Sequence, residues 1–449
     1  MNAPRVMIAA VSSSSGKTTF TCGILQALVN RNLRVTSFKC GPDYIDPMFH
    51  TKVIGTKSRN LDTFFCSQQV IRQLFSKHAR QSEISVMEGV MGYYDGLAGT
   101  TVNASSYELA KITKTPVILV VNCKGMSVSV CALIRGFLEY QPDSNIKGIL
   151  LNQVSPMMYA TIKNMIEEQL PVQVLGYLPY LEHWKLESRH LGLITADEIV
   201  DLKQKLSDLA KQVEQSINIP AIIALAQTAV DISADLPKYQ PLGQIRIGYA
   251  KDKAFCFYYQ DNLDLLEELG AQLVPFSPLT QQQLPEELDG LLLGGGYPEL
   301  YAKELAQNQS MRQSIQKAIN QQMPCIAECG GFMYLHQTLD GLPMVGAIQA
   351  DCYPTTKLRR FGYITLTAQK DNLLCTQGEQ IPAHEFHYWD STDCGVDFVA
   401  QKPLRKTRWN CIHANDSLFA GYPHLYFYGN VHFAEKFIKQ CMEYRERRM

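Results

Sequence analysis

The chain has 449 residues, of which 46% are apolar and 19% charged, and its formal net charge is −1. That length exceeds one ordinary core, and the charge balance offers no basic excess for nucleic acid or an anionic membrane. Thirteen cysteines, odd in number and with no Cys-x-x-Cys pair, fit reduced thiols in a cytoplasm rather than a disulfide frame. Residues Met1–Val11 lack the basic start and cleavage site of a signal peptide, and apolar runs such as Pro116–Val121 are too short to span a bilayer.

Val6–Val11 is a continuous apolar run, as suits a strand buried on both faces. Ser12-Ser13-Ser14-Ser15-Gly16-Lys17-Thr18-Thr19 follows, and then a helical pattern over Phe20–Val29. Strand, small-residue loop, Gly-Lys-Thr and helix make a phosphate loop: its amides cradle phosphate, Lys17 neutralises it, and Thr18 can ligate Mg²⁺. The first glycine of the motif would fall at Val11, so the loop is a variant. Arg34–Lys39 reads as the second strand and delivers Cys40-Gly41-Pro42-Asp43-Tyr44-Ile45-Asp46-Pro47 at the sheet edge where such folds keep ligands. Its carboxylates can hold Mg²⁺ or orient a substrate; a self-capped Pro-Asp turn is the plainer alternative. Arg59, in Ser58-Arg59-Asn60-Leu61-Asp62, suits a carboxylate ligand or a plain surface ion pair.

Ile84–Met87 is a third strand and ends at Glu88, where a second Mg²⁺ contact is expected; a glycine-rich loop bearing Asp95 comes next. Strands at 117–121, 146–151 and 173–177 alternate with helices at 128–140 and 162–170. This alternation implies a doubly wound, mainly parallel sheet. Asn152, at a strand end, could read a purine edge or cap the next helix. The loop Glu187–Leu193 is polar and cationic, and residues 197–217 have the pattern of an amphipathic surface helix. Two prolines without periodicity put a linker at 236–244, dividing a first domain at 1–235 from a second at 245–449.

The α/β pattern restarts at Ile245–Tyr249, with a helix at 262–269 and strands at 272–276 and 291–293. The last runs into Gly294-Gly295-Gly296-Tyr297-Pro298-Glu299, whose amides could complete an oxyanion hole. After a helix at 311–322, the apolar run Pro324–Ala327 breaks at Glu328-Cys329-Gly330-Gly331 before Phe332 opens another helix. A cysteine at such a strand-to-helix turn has the setting of a nucleophile elbow, with the helix dipole lowering its thiol pKa. A buried structural cysteine is the bland alternative. The base expected for Cys329 is His432, in Gly-Asn-Val-His-Phe after an aromatic run, with a final helix over 435–445. Ala383-His384-Glu385-Phe386-His387-Tyr388 lacks the spacing of a zinc motif.

Taken together, Ser-Ser-Gly-Lys-Thr-Thr, Gly-Pro-Asp-Tyr-Ile-Asp-Pro, Ser-Arg-Asn-Leu-Asp, Glu-Gly-Val-Met-Gly, Ser-Arg-His-Leu-Gly-Leu, Gly-Gly-Gly-Tyr-Pro-Glu, Cys-Gly-Gly and His-Glu-Phe-His-Tyr resemble the CobB/CobQ-type glutamine amidotransferases over nearly the full length. The Gly-Pro-Asp-Tyr-Ile-Asp-Pro stretch resembles their a,c-diamide branch, and the front half is similar to dethiobiotin synthetase. The resemblance implies a dethiobiotin-synthetase-like sheet followed by a class I glutamine amidotransferase-like α/β domain. It implies a cytoplasmic ligase that amidates the a and c acetates of cobyrinate in cobalamin biosynthesis, through an acyl phosphate and ammonia from glutamine. Cys329 and His432 would be catalytic, with Gly295, Gly296 and Gly330 at the oxyanion. ATP would lie on Ser13, Ser14, Ser15, Gly16, Lys17, Thr18, Thr19, Lys39 and Asn152. Asp43, Tyr44, Arg59 and Asp95 would meet the tetrapyrrole, and Mg²⁺ would take Thr18, Glu88 and Asp43. The partners implied are ATP, L-glutamine and the tetrapyrrole, without nucleic acid or membrane; a homodimer stays open. Hydrogenobyrinate and nickel-sirohydrochlorin are alternative substrates, and a non-catalytic P-loop partner-binding protein is the rival of another class. Ser14 stands where relatives have glycine, and Ala434 occupies the position of a triad acid, which points to a Cys–His dyad.

Overall fold

The computed structural model describes residues 3–181, 202–232, 234–235, 237 and 239–448. The chain divides into two compact units, Met1–Pro237 and Lys238–Met449. The loop 187–193 lies outside the described residues, as does the start of the helix expected from 197; its described part is Leu202–Ser216.

Among the described residues the first unit is built on seven strands: β1 (Arg5–Ala10), β2 (Val35–Cys40), β3 (Lys57–Leu61), β4 (Ile84–Glu88), β5 (Val117–Asn122), β6 (Ile146–Asn152) and β7 (Gln173–Leu178). They form one sheet in the order β3-β2-β4-β1-β5-β6-β7, every pair parallel. β1, β2 and β4 are buried along their whole length, the polar Thr36, Ser37 and Lys39 of β2 included, as a sheet covered on both faces requires. β3, Lys-Ser-Arg-Asn-Leu, is a strand without apolar alternation, so its sequence shows only the cationic motif. The helix Lys17–Asn30 covers β1 and packs on Leu202–Ser216; a Cβ at Gly23 would stand 2.6 Å from Val213 Cγ2, so a small residue permits the approach.

The second unit holds β8 (Ile245–Ala250), β9 (Phe255–Phe257), β10 (Ala271–Phe276), β11 (Gly290–Leu293), β12 (Gly295–Gly296) and β13 (Cys325–Glu328). The short β14 (Thr338–Leu339) and β15 (Leu342–Pro343) precede the long β16 (Asp351–Ala368) and β17 (Gln380–Ser391). β18 (Phe398–Gln401), β19 (Arg408–Cys411), β20 (His413–Ala414), β21 (Leu418–Gly421) and β22 (His424–Leu425) complete it. The central sheet runs β10-β8-β11-β13-β21-β20, parallel except for β20. A second sheet, β15-β14-β16-β17-β22 with β18 and β19 beside it, carries β22 at its edge. The β16–β17 hairpin escaped sequence reading because residues 353–362 are largely exposed, leaving no apolar alternation. No helix among the described residues is long and apolar enough to cross a membrane.

Candidate active site

β13 is buried throughout and lies between the parallel strands β11 and β21. The chain leaves the sheet at Cys329, whose φ of 46° and ψ of −102° are strained for a residue with a Cβ. Cys329 N donates to Gly421 O at 2.8 Å, and Cys329 O accepts from Met333 N at 2.9 Å, so the helix Gly330–Leu335 begins at once. Only a glycine fits at 331, since a Cβ there would stand 2.0 Å from Leu293 O. A Cβ on Gly330 would meet Gly296 N at 3.1 Å, and one on Gly295 would meet His424 Cε1 at 2.6 Å. The three glycines expected at the oxyanion therefore gather around the Cys329 elbow.

The imidazole on Cys329 is that of His424, not of His432. His424 is buried, hydrogen-bonds the Cys329 side chain, and has Nδ1 3.5 Å from Glu328 Oε2. Glu328 Oε1 is fixed by Leu425 N at 3.1 Å. Burial would push the His424 pKa down, but the facing Cys329 sulfur and Glu328 outweigh it and raise it to about 10. Across the β17–β22 pair, His384 opposes His424; burial, then the charges of His424 and Lys402, push His384 down to about 3.

His432 sits instead in the first turn of the helix Val431–Arg448, with Nδ1 2.8 Å from Glu379 Oε1 and a side chain 43% exposed. The expectation failed because Tyr426–Tyr428 is not a strand that returns to the elbow: β22 ends at Leu425, and a 3₁₀ turn at Phe427–Gly429 carries the chain away. The signal for His424 was available. It lies three residues beyond the apolar, buried run Leu418–Gly421, whose strand pairs in parallel with β13 before Cys329. The Ala434 offset, which mattered only for His432, loses its bearing.

In the first unit the strand ends of β1, β2, β4 and β6 meet. Gly16, at φ +102°, precedes the helix Lys17–Asn30, whose first turn has no side-chain cap. Ser14 has φ +60°, the left-handed region that favours glycine. Ser15 is buried with Oγ 3.0 Å from Ser12 Oγ, while Ser13 O accepts from Ser12 Oγ and Thr19 lies within the helix. Asn152 Nδ2 donates to Ser15 O at 2.9 Å and stands 2.5 Å from where a Gly16 Cβ would be, so it braces the loop rather than capping the next helix. Lys17 Nζ binds Ser12 O and Met91 O; burial, then Lys39, lower its pKa to about 8 against the pull of Glu88, Asp95 and Asp46.

Thr18 Oγ1 donates to Glu88 Oε1 at 2.7 Å, and Lys39 Nζ lies 3.0 Å from the same oxygen. Lys39 also binds Asp46 and stands 3.7 Å from Asp43 Oδ2. Burial pushes Glu88 up to about 7 and Asp43 in the same direction; for Asp46, Lys39 and His50 outweigh burial and pull it down. Asp43 Oδ1 also accepts from Ile45 N at 2.8 Å, the self-capped turn, and Tyr44 precedes the helix Ile45–Phe49. Asn60, which the sequence reading passed over, donates to Gly41 O and Asp43 O and so braces that loop. Arg59 Nη1 donates to Ser58 O, and Asp95 Oδ2 accepts from Gly92 N at 2.8 Å, tying the glycine loop after β4.

Comparison with known proteins agrees with both halves. Residues 6–194 match the CobQ/CobB/MinD/ParA nucleotide binding domain, and residues 246–431 the CobB/CobQ-like glutamine amidotransferase domain. A cobyrinate a,c-diamide synthase of Caldanaerobacter subterraneus subsp. tengcongensis is 38% identical over 98% of this chain and 98% of its own length. One of Listeria monocytogenes serotype 4b is 40% identical over 95% of this chain and 97% of its own, and one of Thermoplasma volcanium 39% over 100% and 99%. The chain belongs to the cobyrinate a,c-diamide synthase family, in which a nucleotide-binding domain is joined to a CobB/CobQ-like glutamine amidotransferase domain.

Proposed function

We propose that the chain is an ATP- and glutamine-dependent ligase that converts the a and c acetate carboxylates of cobyrinate to amides. The observation that carries this reading is the Cys329–His424 pair at a strand-to-helix elbow lined by Gly295, Gly296 and Gly330.

In the second unit, the Cys329 sulfur attacks the side-chain amide carbon of glutamine. His424 takes the thiol proton and gives it to the leaving nitrogen, so ammonia departs and a thioester forms. Glycine amides hold the negative oxygen, and Glu328 keeps the imidazole aligned. Water, activated by the same His424, then releases glutamate.

In the first unit, the uncapped turn after Gly16 and the ammonium groups of Lys17 and Lys39 suit the phosphates of ATP. Transfer of the γ-phosphoryl group to a substrate carboxylate gives an acyl phosphate, and ammonia displaces phosphate from it. Asp43, Tyr44, Arg59 and Asp95 are assigned to the tetrapyrrole, and Asn152 to the nucleoside side of the loop. Glu88 Oε2 is buried without a hydrogen bond, although His50 Nε2 lies 3.5 Å away, and Thr18 Oγ1 adjoins the same carboxylate. These hard oxygens fit Mg²⁺, with Thr18, Glu88 and Asp43 as the residues that would hold it. When bound it supplies charge neutralisation on the phosphates.

The test is glutamate release from glutamine by the unaltered chain and by Cys329→Ser. Activity in the first and none in the second is expected; no release by the unaltered chain, or equal release by both, sinks the reading.

A further inference from the structure

Tyr422 stands between the thiol elbow and a buried ionic cluster that the reaction above does not use. It follows Gly421, whose carbonyl holds Cys329 N, and precedes His424 by two residues. One face of its ring lies on His387, with centroids 3.8 Å apart and planes 5° from parallel. Phe332, in the first turn of the elbow helix, meets it edge-on at 5.0 Å.

His387 is fixed at both nitrogens, Nε2 2.8 Å from Glu385 Oε1 and Nδ1 on Trp389 O. Glu385 is 1% exposed, and its Oε1 also lies 3.4 Å from Arg360 Nε. Arg360 pairs with Asp390 as well, and its guanidinium lies 5.8 Å from the Tyr422 ring centre. Reaching that place costs backbone strain: Arg360 has φ +43° and sits within a register shift of β16 against β17. Glu385 is buried while Arg360 and Asp390 are partly exposed, and such an ion pair adds little stability over apolar residues of the same volume. The same strand β17 also pairs directly with β22 at His384 and His424.

We infer that His387, backed by Glu385 and Arg360, is a positioning residue for glutamine hydrolysis: it clamps Tyr422 and so holds His424 in hydrogen-bond range of Cys329. This rests on the glutamine reading above. The misalignment it prevents matters because small displacements of reacting groups cost large factors in rate.

The experiment compares His387→Phe, which keeps a ring for stacking but loses both hydrogen bonds, with the nearly isosteric Glu385→Gln. Three quantities are read on the full chain: glutamate release, ammonia-dependent amidation, and the rate of iodoacetamide alkylation of Cys329 by peptide mass spectrometry. For His387→Phe, kcat for glutamate release should fall about thirtyfold with KM within threefold. Ammonia-dependent amidation should stay within twofold, and Cys329 alkylation at neutral pH should slow about tenfold. Glu385→Gln should show the same pattern at about a third of the size, which covers a folding failure of the first variant. Glutamate release within twofold of the parent in both variants overturns the inference, as does a rise in KM alone or a parallel loss of ammonia-dependent amidation. If the unaltered chain releases no glutamate, the glutamine reading fails by itself, and an unchanged alkylation rate then overturns the positioning role.

Discussion

Glu328 and His424 face each other at 3.5 Å, and the glutamate immediately precedes Cys329, whose side chain the histidine hydrogen-bonds. In the proposed mechanism, one strand end thus supplies both the nucleophile and the acid that steadies its base. Under the proposed mechanism this arrangement needs no acid at a fixed offset after the histidine, and Glu328 is the candidate orienting group.

The first prediction separates the two histidines. A positioned general base contributes about 10²- to 10⁴-fold, so His424→Ala should lower glutamate release by about a thousandfold. His432→Ala should leave it within about threefold, since that half-exposed imidazole is held by Glu379 rather than by Cys329. Steady-state glutamate release by the two variants checks this, and the reverse order of effects would return the role to His432.

A second prediction concerns pH. The His424 pKa is raised to about 10 from an ordinary 6.5, against burial, by Cys329 and Glu328. A raised histidine contributes stability that is complete below about pH 6.5 and is lost as pH climbs through about 10. Glu328→Gln weakens that pull and should flatten the decline relative to the parent. Urea midpoints of both chains at pH 6, 8 and 10 measure it; a constant difference between them across that range contradicts the assignment.

Backbone space gives a third. A Cβ at Gly331 would be 2.0 Å from Leu293 O, a backbone atom that cannot swing aside. Gly331→Ala should therefore abolish glutamate release and destabilise its unit by about 3 kcal/mol or more. Calorimetry on the full chain should show the shift in one transition, and an unchanged thermogram would mean the elbow relaxes more readily than its packing implies.

A fourth addresses the other unit. Glu88→Gln removes a carboxylate that touches Thr18 and Lys39. ATP-dependent amidation should fall about a hundredfold and require more Mg²⁺, while glutamate release assayed without ATP stays within twofold. A Mg²⁺ titration identical to that of the parent would remove Glu88 from the metal's neighbourhood.

The parallel sheet of the first unit was legible because β1, β4, β5 and β6 carry apolar runs that alternate with helices, whereas the polar β3 carries none. The phosphate loop was legible because small residues and Gly-Lys-Thr sit between a buried strand and a helix. Cys329 stood out as a break in an apolar run before two glycines. His424 did not, because an aromatic run beyond it drew the assignment to His432, and nothing local announces that Tyr426–Tyr428 turns away. Contacts between distant segments were equally hidden: Asn60 bracing Asp43, Asn152 bracing Ser15, and His387 stacked on Tyr422 all depend on strand neighbours far apart in sequence.

The central claim is that a thiol in one unit makes nitrogen for an acyl phosphate built in the other. It is tested most directly by Cys329→Ala incubated with cobyrinate and Mg²⁺·ATP, with either glutamine or a high concentration of ammonium, and read by mass spectrometry. The account predicts no amide from glutamine and both amides from ammonium at a rate near that of the parent with ammonium; equal loss with both nitrogen sources would contradict it.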